Sequence, residues 1–129
     1  MSHNTDMETW SILFYEEFRL EFEGFSKKVR LELLASLVSL EKIGPQLGRP
    51  LVDTLNGSSH QNMKELRFKA DDGVWRVAFA FDPTRTAILL VAGDKSGSSQ
   101  KKFYKQLIQK ADKRFDAHLM SLEKEAGHD

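Results

Sequence analysis

The sequence predicts an α+β fold: a small antiparallel or mixed sheet of about four strands, packed against two N-terminal helices and one long C-terminal helix. Three patterns carry this expectation. Apolar runs flank tight turns between residues 63 and 92, Val29, Leu33, Leu37 and Leu40 form a helical stripe, and Phe103, Leu107, Ala111, Phe115 and Leu119 form another. The 129 residues fit one domain, residues 1–129, and the composition of 40% hydrophobic and 29% charged residues is that of a globular chain. Residues 1–8 are expected to be flexible and residues 120–129 a frayed tail.

Along the chain, "TWSILFY" (9–15) is apolar and aromatic enough for the first strand. The following "EEFRLEFEGF" sets Phe18, Leu20, Phe22 and Phe25 among acids and reads as strand or helix; as a helix it is the first of the N-terminal pair. Ser26 suits an N-cap, and the helix it opens ends at Gly44-Pro45, with Leu34 and Val38 beside its apolar stripe. "GPQLGRPLVDTLNGSSHQN" holds Pro45, Pro50, Gly44, Gly48 and Gly57, and is expected to be a long irregular surface connection. "KELRFK" and "VWRVAFAF" then flank Asp72-Gly73, a hairpin signal, and "TAILLVA" (86–92) follows a turn at "DPTR", which makes an antiparallel meander. The last helix is expected from about Ser99 to Leu122.

With a two-residue turn at Asp72-Gly73, Asp71 faces Val74, Lys69 faces Arg76 and Arg67 faces Ala78. Leu66, Phe68, Trp75, Val77, Phe79 and Phe81 take the other side and form an apolar surface for helices. Arg67, Lys69 and Arg76 therefore share a face with the small Ala78 and Ala80, which suggests a shallow floor for an anion. The alternative is a wet face on which Glu65 and other acids pair with these bases. Beyond the last strand, "VAGDKSGSSQKKFYK" (91–105) carries Gly93 and Gly97 for tight turning, Ser98 or Ser99 as a helix cap, and Lys95 on the loop. Backbone N–H groups at a helix start beside a lysine suit a phosphate, although a capped helix entrance alone explains the glycines and serines. The G-x-x-x-x-G-K-[ST] order of a nucleotide-binding loop is missing.

Cysteine is absent, which removes disulfides, a thiolate nucleophile and a cysteine zinc site. No apolar run reaches the roughly 18 residues of a membrane helix, and the polar start is no signal peptide, so a cytoplasmic protein with no membrane partner is expected. No metal or cofactor is expected. The formal net charge is zero. Asp6, Glu8, Glu16, Glu17, Glu21 and Glu23 nevertheless oppose only Arg19 near the start, while seven bases oppose Asp112 over residues 95–114. Such a basic block either steers a polyanion or is a solvated helix face.

"MKELRF", "WRVAFAFDP", a strand ending in "AGDKSG" and "FYKQLIQKADKRFDAHL" together resemble the RelE/ParE superfamily of bacterial toxins, in particular its phage-related, HigB-like branch of type II toxin–antitoxin systems. The similarity runs from about Trp10 to Leu119 and includes "KIGPQLGRPLVDTL". The resemblance implies a RelE-like fold and an endoribonuclease that cuts messenger RNA, usually on the ribosome, held inactive by a small helix-turn-helix antitoxin. In that chemistry the ribose 2′-hydroxyl attacks the adjacent phosphate, so cations must stabilise a phosphorane. By motif, Arg76 matches a strand arginine at the scissile phosphate and Arg67 a neighbouring basic position. Lys95 would stabilise phosphate, and Tyr104 would stack a base or shuttle a proton. Lys69, Lys101, Lys102 and Lys105 would bind RNA phosphates, and Asp94 would orient Lys95 or act as a weak base.

The chain departs from the family pattern in being neutral overall and in showing no obvious His or Glu base. His3, His60, His118 and His128 are scattered, and His118 is expected to be a capping or surface residue. The superfamily also holds members that inhibit gyrase by binding alone, so a noncatalytic, protein-binding toxin is the alternative, and a generic RNA-binding domain a third reading. The sequence leaves a homo-oligomer open. Trp10 and Phe14 are expected in the core.

Overall fold

A computed structural model describes residues 9–127 except Ser98, as a five-stranded sheet with helices on both faces. The expected flexibility of residues 1–8, the end of the tail at 128–129, Ser98 as a cap, and Asp6, Glu8, His3 and His128 lie outside the described residues. The strands are β1 (Ser11–Phe14), β2 (Val52–Thr54), β3 (Lys64–Ala70), β4 (Gly73–Phe81) and β5 (Thr86–Asp94); the helices are α1 (Glu16–Glu23), α2 (Lys27–Ile43) and α3 (Gln100–Ala126). The sheet order is β1-β5-β4-β3-β2, with β1 parallel to β5 and the other pairs antiparallel. No helix among the described residues is long and apolar enough to cross a membrane.

The ambiguous "EEFRLEFEGF" is helical because its aromatic residues meet the sheet at helical spacing. Phe18 is fully buried, and Phe14, Phe22 and Phe25 ring it. Ser26 accepts a hydrogen bond from the Val29 amide and starts α2, and Gly44, at φ +71°, ends it where the Trp10 indole leaves no room for a Cβ. Val29, Leu33, Leu37 and Leu40 are buried against the sheet, whereas Leu34 and Val38 face outward. One core layer thus lies between α1/α2 and Leu66, Phe68, Val77, Phe79 and Leu89; Trp10 packs edge-on against Phe81, and Phe14 joins this layer.

The second layer lies between α3 and Ala78, Ala80, Ile88, Leu90 and Val91. Leu107, Ala111 and Phe115 are buried there, each large apolar side chain contributing about 1.5–3 kcal/mol. A bulge in the β4–β5 ladder helps. Ala78 pairs with Val91 and Phe79 with Leu89, so Leu90 is the extra residue, and Leu90 and Val91 both come under α3.

Four expectations are corrected. The sheet has a fifth strand, because Val52–Thr54, inside the supposed irregular connection, pairs with β3 and buries Val52 and Leu55. The hairpin turn is Asp71-Asp72, both at positive φ (52° and 64°), and Gly73 already belongs to β4. Gly73 is needed for space, since a Cβ there would lie 2.7 Å from both Asp94 Oδ2 and Trp75 Nε1. Arg67 therefore faces Arg76, not Ala78, and Lys69 faces Val74, not Arg76. The shift is by two residues, so every side chain keeps its expected face. Ala78 and Ala80 are no open floor: they are small because α3 packs on them, and both are buried. Finally, α3 stays helical to Ala126, well past Leu122.

Candidate functional site

Beyond the part of the sheet that α3 covers, three neighbouring strands present one row of the α3-facing side: Arg67 on β3, Arg76 on β4 and Gly93 on β5. In the next row, Asp53 on β2 lies opposite Glu65. The start of α3 overhangs these rows because Gly93 has no side chain. A Cβ on Gly93 would sit 2.8 Å from Phe103 Cε1, so the glycine admits the Phe103 ring and with it the adjacent Tyr104. Its part is thus close packing, while the turn after β5 uses Gly97 at φ +76°.

Arg76, Tyr104 and Glu65 meet there. Arg76 Nε donates to the Tyr104 hydroxyl at 3.2 Å, and the Tyr104 hydroxyl donates to Glu65 Oε1 at 2.8 Å. Arg76 also donates to the Trp75 carbonyl at 3.0 Å. Glu65 stands between two arginines: Oε1 is 3.7 Å from Arg76 Nε, and Oε2 is 4.0 Å from Arg67 Nε. Arg76 and Glu65 are buried, with 5% and 6% of their surfaces exposed, whereas Arg67 is half-buried. Burial, and then the hydrogen bond to Glu65, push the Tyr104 phenol above its ordinary value of 10.0, with Arg76 opposing, so it keeps its proton at neutral pH.

A cleft of about 510 Å³ opens from this group, lined among others by Glu65, Arg67, Tyr104, Lys95, Gln100 and Asn56. At its rim Arg49 grips Asp53 Oδ2 through Nη2 at 2.8 Å and Nε at 3.0 Å. That grip, helped by the Thr54 amide, lowers the Asp53 carboxyl from its ordinary value. The loop carrying Asn56 is pinned to α3, where the Asp112 carboxylate accepts from the Ser58 hydroxyl and the Ser59 amide and Asp116 pairs with His60.

Lys95 enters the cleft because its loop is organised by Asp94. Asp94 Oδ1 accepts from the Val74 amide (3.0 Å), the Ser96 amide (2.9 Å) and the Ser96 hydroxyl (2.6 Å), while the Lys95 amide donates to the Val74 carbonyl. Burial works against the charged Asp94, but these hydrogen bonds outweigh it and leave its carboxyl below its ordinary value. Asp94 is thus an anchor for the loop and poorly suited to be a base. Ser99 caps α3 by accepting from the Lys102 amide.

The structure brings together Arg67, Arg76, Lys95 and Tyr104 and holds Lys95 through Asp94. It does not bring in the other lysines. Lys69 is exposed opposite Val74, Lys101 and Lys105 are exposed on α3, and Lys102 lines a separate cleft with Gly97, Ser99, Phe103 and Gln106. Glu65, named from sequence only as an acid that pairs with these bases on a wet face, does stand between Arg67 and Arg76, but it is buried and not on a wet face. His118 is neither a cap nor a surface group: it is half-buried and bonded to buried Asp82 at 2.7 Å, at the far end of β4 from Arg76.

Comparison with known proteins converges on one group. Residues 20–116 match the family model described as Phage derived protein Gp49-like (DUF891). The chain is 44% identical over 101 residues to "Putative toxin HigB2" of Mycobacterium tuberculosis (strain ATCC 25618 / H37Rv), covering 78% of this chain and 50% of that protein. It spans about half the length of that relative. It is 43% identical over 100 residues to "Putative toxin HigB3" of the same organism, covering 78% of this chain and 85% of the relative. The structure of a mutant of E. coli toxin RelE in the free state is similar in fold, with a TM-score of 0.57 and 17% identity, covering 82% of this chain and 97% of that one.

Proposed function

Because the chain belongs to the phage-derived Gp49-like family, within the HigB-like branch of the RelE/ParE toxins, we propose that it is the toxin of a type II toxin–antitoxin pair and a ribosome-associated messenger RNA endoribonuclease. The observation that carries the nuclease reading is a cleft lined by Glu65, Arg67, Lys95 and Tyr104, with buried Arg76 bonded to Tyr104 just behind its wall. Its partner would be a small helix-turn-helix antitoxin, and its substrate single-stranded RNA, whose bases are free to be splayed and stacked.

In the proposed reaction the 2′-oxygen forms a bond to phosphorus as the bond from phosphorus to the 5′-oxygen breaks, leaving a 2′,3′-cyclic phosphate and a 5′-hydroxyl. Negative charge grows on the non-bridging oxygens. Arg76 is nearly buried, so its charge acts at low dielectric, while Arg67 and Lys95 can approach from the cleft. Tyr104, which keeps its proton, is a donor for the departing 5′-oxygen.

The test is to map messenger RNA ends in a translating extract, and on the same RNA without ribosomes, using wild type, Arg76→Ala and Lys95→Ala. New ends with wild type that fade in both variants are expected, and more of them with ribosomes present. No new ends with wild type, or undiminished ends with both variants, would sink this reading, and the first result would point to a toxin acting by binding alone.

A further inference from the structure

We infer that Glu65 does two jobs in this site: it occupies the phosphate position while the cleft is empty, and it accepts the 2′-hydroxyl proton when RNA binds. This rests on the nuclease reading above and adds the missing base and the reason it is not a fixed salt bridge.

The geometry makes the case by contrast within one chain. The arginine–carboxylate pairs that make direct bonds elsewhere in the chain are tight, and a pair that stands off, Arg114 Nε with Glu17 at 3.9 Å, involves an exposed acid. Arg114 reaches Glu21 at 2.6 and 3.0 Å, and Arg49 reaches Asp53 at 2.8 and 3.0 Å. Glu65 is more buried than either of those acids, yet its guanidinium neighbours stand off at 3.7 and 4.0 Å, beyond hydrogen-bond length. A buried carboxylate is costly unless it is well bonded, so a loose arrangement is a poor way to stabilise a fold. It is a good way to keep an anion site charged but open to exchange. The carboxylate sits between two cations on one sheet row, held by a single hydroxyl, with the cleft on its open side.

A phosphodiester entering the cleft competes with Glu65 for Arg67 and Arg76. Two anions repel each other across so short a distance, and proton uptake by the carboxylate relieves the conflict. The 2′-hydroxyl supplies that proton. Its oxygen then bonds to phosphorus, the 5′-oxygen leaves with the proton of Tyr104, and as the product departs and the Tyr104–Glu65 contact re-forms, Glu65 returns the proton it took to the Tyr104 oxygen. Charge and protons balance with no further reactant.

The inference makes binding and turnover move in opposite directions. The probe is a short RNA with 2′-O-methyl groups, which can bind but cannot be cleaved, titrated against wild type, Glu65→Gln and Arg76→Ala; cleavage is read on the unmodified RNA. Glu65→Gln should bind the probe several-fold more tightly, because the competing charge is gone, and should cleave roughly 100-fold more slowly. Arg76→Ala should weaken both. If Glu65→Gln loses binding and cleavage together while melting as the wild type does, Glu65 is a scaffold residue and the inference fails; it fails equally if cleavage is intact.

A measurement on the unaltered protein guards against a misfolded variant. The probe should shift the NMR signals of the Tyr104 ring and the Arg76 Nε–H as Glu65 is displaced, and binding that leaves them unmoved overturns the inference. If wild type binds the probe through Arg76 yet cuts no RNA, the nuclease reading falls and the proton-acceptor role with it. The occupant role then still stands or falls on the binding of Glu65→Gln.

Discussion

Arg114 and Arg76 are both buried arginines facing an acid, and they are built for different ends. Arg114 joins three elements: from α3 it bonds Glu21 of α1 through two nitrogens and the Leu90 carbonyl of β5 at 2.7 Å. Both of its terminal nitrogens are spent on oxygens of the fold, and although it lines a cleft beside Tyr15 and Glu17, only its Nε, 3.9 Å from Glu17, is not bonded. Arg76 spends one hydrogen bond on its neighbour's carbonyl and one on Tyr104, and its acid stays at arm's length beside a cleft. Burial alone therefore does not mark a functional arginine. The lesson is in the bond lengths and in which atoms remain free.

The largest expected effect tests the Arg76 side of this contrast. Arg76→Ala should lower RNA cleavage by about 10²–10³-fold, as removal of a transition-state donor does, measured as single-turnover rates on a defined RNA. Arg114→Met should leave that rate within a few-fold of wild type, and a fall matching that of Arg76→Ala would erase the distinction between the two regions.

Tyr104→Phe comes next. It removes the hydroxyl that joins Arg76 and Glu65 without opening a cavity, so cleavage should drop roughly ten- to a hundredfold, and the thermal midpoint should fall because buried Glu65 loses the hydrogen bond that holds it.

On stability the order reverses. Arg114→Met should cost about 1–3 kcal/mol in urea unfolding, less than a fully buried pair would, because Glu21 is partly exposed. The loss should also be pH-dependent. The hydrogen bond from Arg114 holds the Glu21 carboxyl below its ordinary 4.5 in the folded protein, so this contribution is complete above pH 4.5 and fades as pH falls through the lowered value. The stability gap between wild type and Arg114→Met should therefore narrow in acid, and a constant gap would mean that Arg114 acts only through packing and its bond to Leu90.

The smallest effect belongs to the exposed lysines. Lys101→Ala should weaken RNA binding by only a few-fold and make it less salt-dependent, while leaving the cleavage rate of bound RNA unchanged.

Much of the fold was legible because periodicity reports burial directly. Val29, Leu33, Leu37 and Leu40 on α2, and Leu107, Ala111 and Phe115 on α3, are the buried stripes their spacing predicts. β2 was hidden because Val52–Thr54 is too short for alternation to show and lies among glycines and prolines. The hairpin turn was misplaced because Gly73 looks like a turn glycine, when the two preceding aspartates take the left-handed conformation and Gly73 makes room for Trp75 and Asp94. The arginines' shared face survived that error only because a two-residue slip preserves parity.

The sequence by itself determined α2 and α3, the meander and the faces of β3 and β4, and through its motifs it pointed to the family. Local chain geometry suffices for the elements and their faces, since period and turn chemistry act within a few residues, whereas the family came from motif resemblance. Only the tertiary structure decided that Arg67 stands opposite Arg76, that Gly93 admits α3 so that Tyr104 reaches Arg76, and that Glu65 rests between the two arginines. Those are distances between residues up to 39 positions apart, such as Glu65 and Tyr104. They depend on how a helix settles on a sheet, which no short window of sequence contains.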